Sequence, residues 1–294
     1  MGLGDFLKNT FGKKTCAFCG GECGVMSRTK IKGDEYICSK CDDMCSNFIR
    51  KSRFTKDELA GHMEYMKRSD RIYNEVILPN IKKHESYPSA TQRQGIEFFD
   101  DFGMFRIMDG SRDNKDRYPT ELIRYDQVAS YEPYYEEAEP EEAGKPKVFR
   151  EGGIVIRLVG ALDDTTKMQK GLRAHPYITE EIKVCFATND REKENYLKYA
   201  ENAIHHFDYI FGVHDDEHAL FSFGMNEKEK RDLKAAVAFT KTAFDAVKVA
   251  KNGGEMSEEK KAEIMENMNA IDDAQTGGLA KYTRAADSAE AKIN

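Results

Sequence analysis

Six of the seven cysteines in this 294-residue chain fall between positions 16 and 45. Cys16-Ala-Phe-Cys19-Gly and Cys38-Ser-Lys-Cys41 are two C-x2-C pairs separated by 18 residues, a spacing that reads as a four-thiolate metal site. Each C-x2-C turn aims two thiolates at one centre, and two such turns complete a tetrahedron about 2.3 Å in radius around a zinc ion. The glycine after Cys19 suits the tight turn of such a knuckle. One structural zinc held by Cys16, Cys19, Cys38 and Cys41 is the leading reading. A closed shell of this kind has no position for water, so it organises a fold and does no Lewis-acid chemistry. An iron–sulfur cluster uses the same ligand type, and Cys23 and Cys45 extend each half to C-x2-C-x3-C, so the spacing alone suits both. Disulfides fit poorly with an odd cysteine count and no export leader. Thioredoxin-like redox use needs a neighbouring βαβ pattern that is missing, and a binuclear six-cysteine site needs a longer third spacing. Cys23, Cys45 and Cys185 read as small buried residues.

Elements that hold these knuckles are legible around them. Gly33-Asp34 supplies a hairpin turn between β-prone stretches at 25–31 and 36–37, the layout of a zinc ribbon over 15–46. Before it, residues 1–14 form an amphipathic arm, with Leu3, Phe6, Leu7 and Phe11 at helical spacing. A helical connector follows over 47–89. Thr55 and Glu58 form a capping box, Phe54 can staple onto Leu59, and Leu59, Met63, Met66, Tyr73, Val76 and Ile77 carry an apolar stripe toward Pro79, where it stops.

Near residue 95 the period changes to short alternating runs. Residues 96–108 read as two strands about Asp101-Phe102-Gly103, with further strands near 154–159 and 180–187. Between 131 and 150, six glutamates and three prolines predict an exposed acidic insertion. Residues 191–211 are helical, with Leu197, Ala200, Ile204, Phe207 and Phe211 on one stripe that closes a sheet domain over 90–212. A helical tail spans 226–294. It carries one stripe of Leu233, Val237, Phe244 and Val247 and a second of Ile264, Met265, Met268 and Ile271. A helical pair docked on its own sheet is the leading reading of the tail, with self-association and disorder as the others. The fold class is α+β.

The net charge of −7 and pI near 5.7 argue against attraction of the whole molecule to nucleic acid or anionic lipid. A local patch remains. Arg28, Lys30 and Lys32 alternate along the inter-knuckle strand and form a candidate nucleic-acid face, against the plainer reading of a solvated strand. No run of about 18 apolar residues predicts a spanning helix, and no leader precedes the first cysteine, so the expected compartment is the cytoplasm. His205-His206 and the His214 to His218 run lack placed further ligands and read as a polar loop. No phosphate-cradling loop, nucleophile elbow or Ser/His/Asp set is present, so the sequence points to binding rather than catalysis. The expected partners are another protein or a second copy of the chain. No small-molecule substrate is indicated.

The start MGL, the FGKK at 11–14, and Cys16, Cys19, Gly20, Cys38 and Cys41 resemble a family of uncharacterised bacterial proteins with an N-terminal four-cysteine ribbon regarded as a zinc finger. The strands of 96–187 followed by the helix of 191–211 are similar in element order to a bacterial pleckstrin-homology-like (PH-like) barrel plugged by its C-terminal helix. That likeness implies an antiparallel barrel. It also implies a membrane-facing role, which the acidic stretch from Glu132 to Glu142 opposes by charge.

Overall fold

Two short hairpins open the described chain. β1 (Lys14–Thr15) pairs antiparallel with β2 (Glu22–Cys23), and β3 (Arg28–Lys30) with β4 (Tyr36–Cys38). The β3–β4 turn falls at Gly33-Asp34, with both residues at positive φ. The computed structural model describes residues 12–82, 84–88, 94–109, 118–139, 147–160, 171–212, 258–276 and 278–293. Leu3, Phe6, Leu7 and Phe11 of the arm, His214 and His218, and the Leu233, Val237, Phe244 and Val247 stripe lie outside those residues.

A single helical turn, α1 (Ser39–Asp42), leads from β4 toward the connector helix α2 (Lys56–Arg71). The capping box forms as the sequence indicates: Glu58 N–H donates to Thr55 Oγ1 at 3.3 Å and Thr55 N–H donates to Glu58 Oε2 at 2.7 Å. α2 widens into a π turn over Ile72–Ile77, regains α geometry over Leu78–Asn80, and ends there. Pro79 has no N–H to continue the ladder, and Leu78 N–H bonds to Tyr73 O, five residues back, just ahead of it. Leu59, Met66, Ile72, Val76 and Ile77 form the buried face. The connector is shorter than the sequence suggests, because Glu85–Pro88 is a strand, β5, whose Tyr87 packs on Phe98 at 5.8 Å between ring centroids.

Seven strands form two antiparallel sheets. The first has the order β5, β6 (Gln94–Phe99), β7 (Met104–Asp109), β8 (Ile123–Arg124), and the second has the order β11 (Ile182–Ala187), β10 (Val148–Leu158), β9 (Val128–Ala138). Phe98 pairs with Phe105 across the β6–β7 hairpin, whose turn uses Asp101-Phe102-Gly103 as expected. Helix α3 (Lys193–Phe211) lies against β9, β10, β11 and β5. Its Ala200, Ala203, Phe207 and Ile210 are buried, with Phe207 4.9 Å from Phe98 and 5.5 Å from Phe105 between ring centroids. The α+β class thus holds, but no closed barrel forms among the described residues. Continuity breaks where β8, only two residues long, gives way to the 3-10 turn Tyr125–Gln127 and β9 joins the other sheet.

The acidic stretch is also corrected. Residues 131–138 are not an insertion but the last eight residues of β9, and Ala138 pairs with Val148 of β10, while 140–146 lie outside the described residues. Glutamate density misled because alternate positions do different work. Tyr131 stacks on Phe207, while Glu132 pairs with Arg157 at 2.6 Å and Glu136 with Lys183 at 3.0 Å.

In the tail, α4 (Glu258–Gln275) leaves Met265 and Met268 more than half exposed. Docking is done instead by α5 (Leu279–Ala291), which buries Leu279, Tyr282, Ala286 and Ala289. α5 lies so close to the β6–β7 turn that a Cβ on Gly103, which sits at φ +61°, would meet the Tyr282 carbonyl oxygen at 2.0 Å. The close approach and the left-handed backbone both require glycine there.

Candidate metal centre

The two hairpins bring the four predicted ligands to one point. Cys16 and Cys19 flank the β1–β2 knuckle, and Cys38 and Cys41 flank the start of α1. Within the first knuckle, Gly20 N–H donates to Cys16 O at 3.0 Å, and Gly20 adopts φ +71° so that the chain can reverse. Ala17 N–H donates to Tyr36 O at 2.8 Å and ties one knuckle to the other. Sγ of Cys16 lies 3.7 Å from that of Cys41, Sγ of Cys19 lies 3.6 Å from that of Cys38, and all four sulfurs fall within 4.8 Å of one another. A tetrahedron of about 2.3 Å radius has edges of about 3.8 Å. The set therefore fits one metal ion.

The electrostatics agree with that fit. Burial pushes the Cys16 thiol up, but the backbone N–H groups of Cys19, Cys38 and Phe18 more than offset it and bring its pKa down to about 6. Burial and the neighbouring sulfurs push Cys41 well above the usual thiol range. Four thiols this close resist joint ionisation unless a cation sits among them, and a bound cation deprotonates them outright. Cys23 and Cys45 are buried and aim elsewhere, with Cys23 donating to Lys14 O at 3.2 Å and Cys45 to Cys41 O at 3.7 Å. Among the described residues no other group of His, Cys, Asp or Glu gathers as a metal site.

Arg28, Lys30 and Lys32 do share the β3 region, but two of them are engaged within the unit. Arg28 donates to Gly12 O at 2.6 Å and lies over the Tyr36 ring, and Lys30 pairs with Asp34 at 2.6 Å. The sequence reading passed over His62 and His175 and took His206 for part of a polar loop, whereas His206 lies on α3 and all three are buried. His206 packs on Phe98 at 4.0 Å between ring centroids and meets Asp100 at 3.0 Å. His62 Nε2 accepts from Ser46 N–H at 3.0 Å. His175 Nδ1 accepts from Ile178 N–H at 2.8 Å, which leaves its ring proton on Nε2 for the Tyr65 hydroxyl at 3.0 Å, and Tyr65 in turn donates to Leu122 O at 3.2 Å. The signal available in sequence was only position: His62 falls on the apolar stripe of α2, three residues after Leu59.

Burial lowers the pKa of His62 to about 4 and that of His175 to about 3, with Lys51 and His62 respectively adding to the effect. Both are therefore neutral in the folded chain and take up protons on unfolding below about pH 6.5. Stability is full above that value and falls as pH drops toward the folded values, by roughly 1.4 kcal/mol per pH unit for each histidine. Urea unfolding at pH 7 and at pH 5 checks this. His175→Asn shows the shallower loss, and parallel losses in the two proteins would refute burial of His175 as the cause.

Fold and site define a chain in which a four-cysteine module able to hold a metal ion is set on an α+β body. Residues 15–62 match a family model described as a domain of unknown function, DUF4428. That match runs beyond Cys45 through the first turns of α2 to His62, whose ring accepts the Ser46 N–H and so joins helix to module. No curated protein and no solved structure matches the chain. Among the described residues no helix is long and apolar enough to cross a membrane.

Proposed function

We propose that this chain is a non-enzymatic cytoplasmic adaptor in which one structural zinc, held by Cys16, Cys19, Cys38 and Cys41, shapes a ribbon that presents a protein-binding surface. The observation that carries the reading is the closed sulfur tetrahedron, whose 3.6 and 3.7 Å edges leave no fifth direction for substrate or water. At the tip between β2 and β3, Val25 is 38% and Met26 99% exposed, an apolar tip suited to a protein partner or a second copy of the chain. The body reads as PH-like: a four-strand antiparallel sheet, then a three-strand one, then a helix across them in chain order supports that assignment.

Nucleic-acid binding through Arg28, Lys30 and Lys32 is the rival. The internal engagement of Arg28 and Lys30 counts against it, as does an overall charge of −7. Fluorescence titration with labelled DNA and RNA at low salt separates the two. The adaptor reading expects no binding. Affinity that falls steeply with salt and disappears when Arg28, Lys30 and Lys32 are changed to Ala would replace it with the nucleic-acid reading.

A further inference from the structure

The four-cysteine module does not float free of the body. Its apolar core is continuous with that of the sheets: Cys16, Ile31, Ile37, Cys45 and Ile49 belong to the same buried cluster as Leu59, Phe98, Phe105 and Ile178. Polar contacts follow the same route. From the ligand Cys41 the chain runs without slack to Ser46, because Asp43 N–H bonds to Ser39 O at 2.8 Å, Met44 N–H to Cys41 O at 3.3 Å and Cys45 N–H to Asp42 O at 3.0 Å. Ser46 is wholly buried; its Oγ accepts from Phe48 N–H at 2.9 Å within the same segment, and its other two hydrogen bonds reach two elements of the body. Its N–H donates to His62 Nε2 on α2 at 3.0 Å, and its Oγ donates to Glu121 Oε2, just before β8, at 2.5 Å. Asn47 Nδ2 then donates to Asp109 Oδ2 at the end of β7 at 3.3 Å.

These same residues wall a groove. A cavity of about 750 Å³ opens between Met44 and Phe48 of the module's exit, Met66 and Tyr73 of α2, and Arg106 and Ile107 of β7. That volume is in the range of sites that hold small ligands. One wall is therefore made of residues that begin three positions after Cys41, while the others belong to the helix and the sheet body, including Tyr118 to Glu121 ahead of β8.

We infer that occupancy of the four-cysteine site gates this groove: with the metal bound, the segment from Met44 to Phe48 is fixed against α2 and β7, and loss of the metal releases that wall and loosens the faces behind it. The inference rests on the metal-binding reading of the four cysteines and adds to it a line of transmission through Ser46. Module hairpins of two and three residues bury too little to hold themselves together, so chelation removes the anchor of Ser46 and not merely an ornament on it. Linkage runs in both directions: whatever binds the metal-loaded groove more tightly must also tighten the metal, by the same factor.

Hydrogen exchange read by mass spectrometry on the full chain, metal-loaded and then treated with a strong zinc chelator, tests this, with metal content measured on the same samples. The expected result is at least tenfold faster exchange after chelation in peptides from 62–74, 104–109 and 118–124, with α3 and β10 unchanged. Faster exchange confined to 13–46 overturns the gating, as does collapse of α3 and β10 together with the rest. A purified chain that holds no metal at any added zinc concentration is a different failure and removes the metal reading itself. Ser46→Ala provides the second variant. It keeps full metal content, and its exchange in 118–124 responds less to chelation than that of the wild type. An equal response would show that Ser46 does not transmit.

Discussion

Cys38→Ser abolishes stoichiometric metal binding and, with it, the folded state of residues 13–46. Three remaining thiolates cannot close a tetrahedron whose sulfurs are set 3.6 and 3.7 Å apart in two pairs, and the hairpins they leave behind have strands of only two and three residues. Zinc contributes on the order of 10–16 kcal/mol to comparable peptides, far more than the rest of the module can replace. Metal analysis with an absorption spectrum on freshly purified wild type and variant is the measurement. The wild type gives one colourless zinc per chain, and the variant gives none. Cys45→Ser retains the metal, since the Cys45 thiol is turned to the Cys41 carbonyl. A brown, iron-bearing wild type that loses its colour in Cys45→Ser would refute the zinc assignment and put a cluster in its place.

Arg124→Ala is expected to cost about 3–5 kcal/mol, the range for breaking a buried ion pair by removing one partner. Its guanidinium is bidentate to Asp126, with Nε on Oδ1 at 2.9 Å and a terminal nitrogen on Oδ2 at 2.8 Å, while other contacts reach Asp287 at 2.8 Å and Glu290 at 3.0 Å on α5. The Asp126 side chain is fully inaccessible to solvent, so removal of Arg124 strands a buried carboxylate, with Arg173 Nε at 3.5 Å the one remaining cation paired with it among the described residues. Asp287→Asn tests the exposed end of the same network. Its carboxylate is 46% exposed, and the change costs less than about 1 kcal/mol. Urea midpoints of the two variants check the contrast. A loss below about 1 kcal/mol in Arg124→Ala would mean that α5 docks by its apolar face alone.

The parts of the chain legible from sequence are those governed by local chemistry. Two C-x2-C pairs named the ligands because a knuckle is a contiguous turn, and the Thr55–Glu58 capping box and the stripe from Leu59 to Ile77 gave α2 because each signal lies within a few residues. The Asp101-Phe102-Gly103 turn and the α3 stripe were visible for the same reason. What escaped depends on contacts far apart in the chain. A count of glutamates in 131–150 describes solubility, and only the facing strand shows that Glu132 and Glu136 are paired with Arg157 and Lys183. The alanine-rich face of α5 carries little hydrophobic signal, since small side chains matter only where another backbone comes close, as it does at Gly103. His62 and His175 are polar in any composition table yet buried, because each ring nitrogen that accepts a backbone N–H satisfies a group the core would otherwise leave bare.

The clasp between Arg124 and Glu290 joins residues 166 positions apart. At a ribosomal pace of roughly 5–20 residues per second, about 10–30 s separates the emergence of the first from that of the second. During that interval Phe99, Phe102, Met104 and Leu122 are covered by Ile72, Val76 and Ile77 of the connector but not yet by Ala286 and Ala289, which complete the cluster, and the nascent chain offers a half-covered apolar face beside an arginine with one of its acidic partners. Synthesis of α5 closes that face from within the same chain.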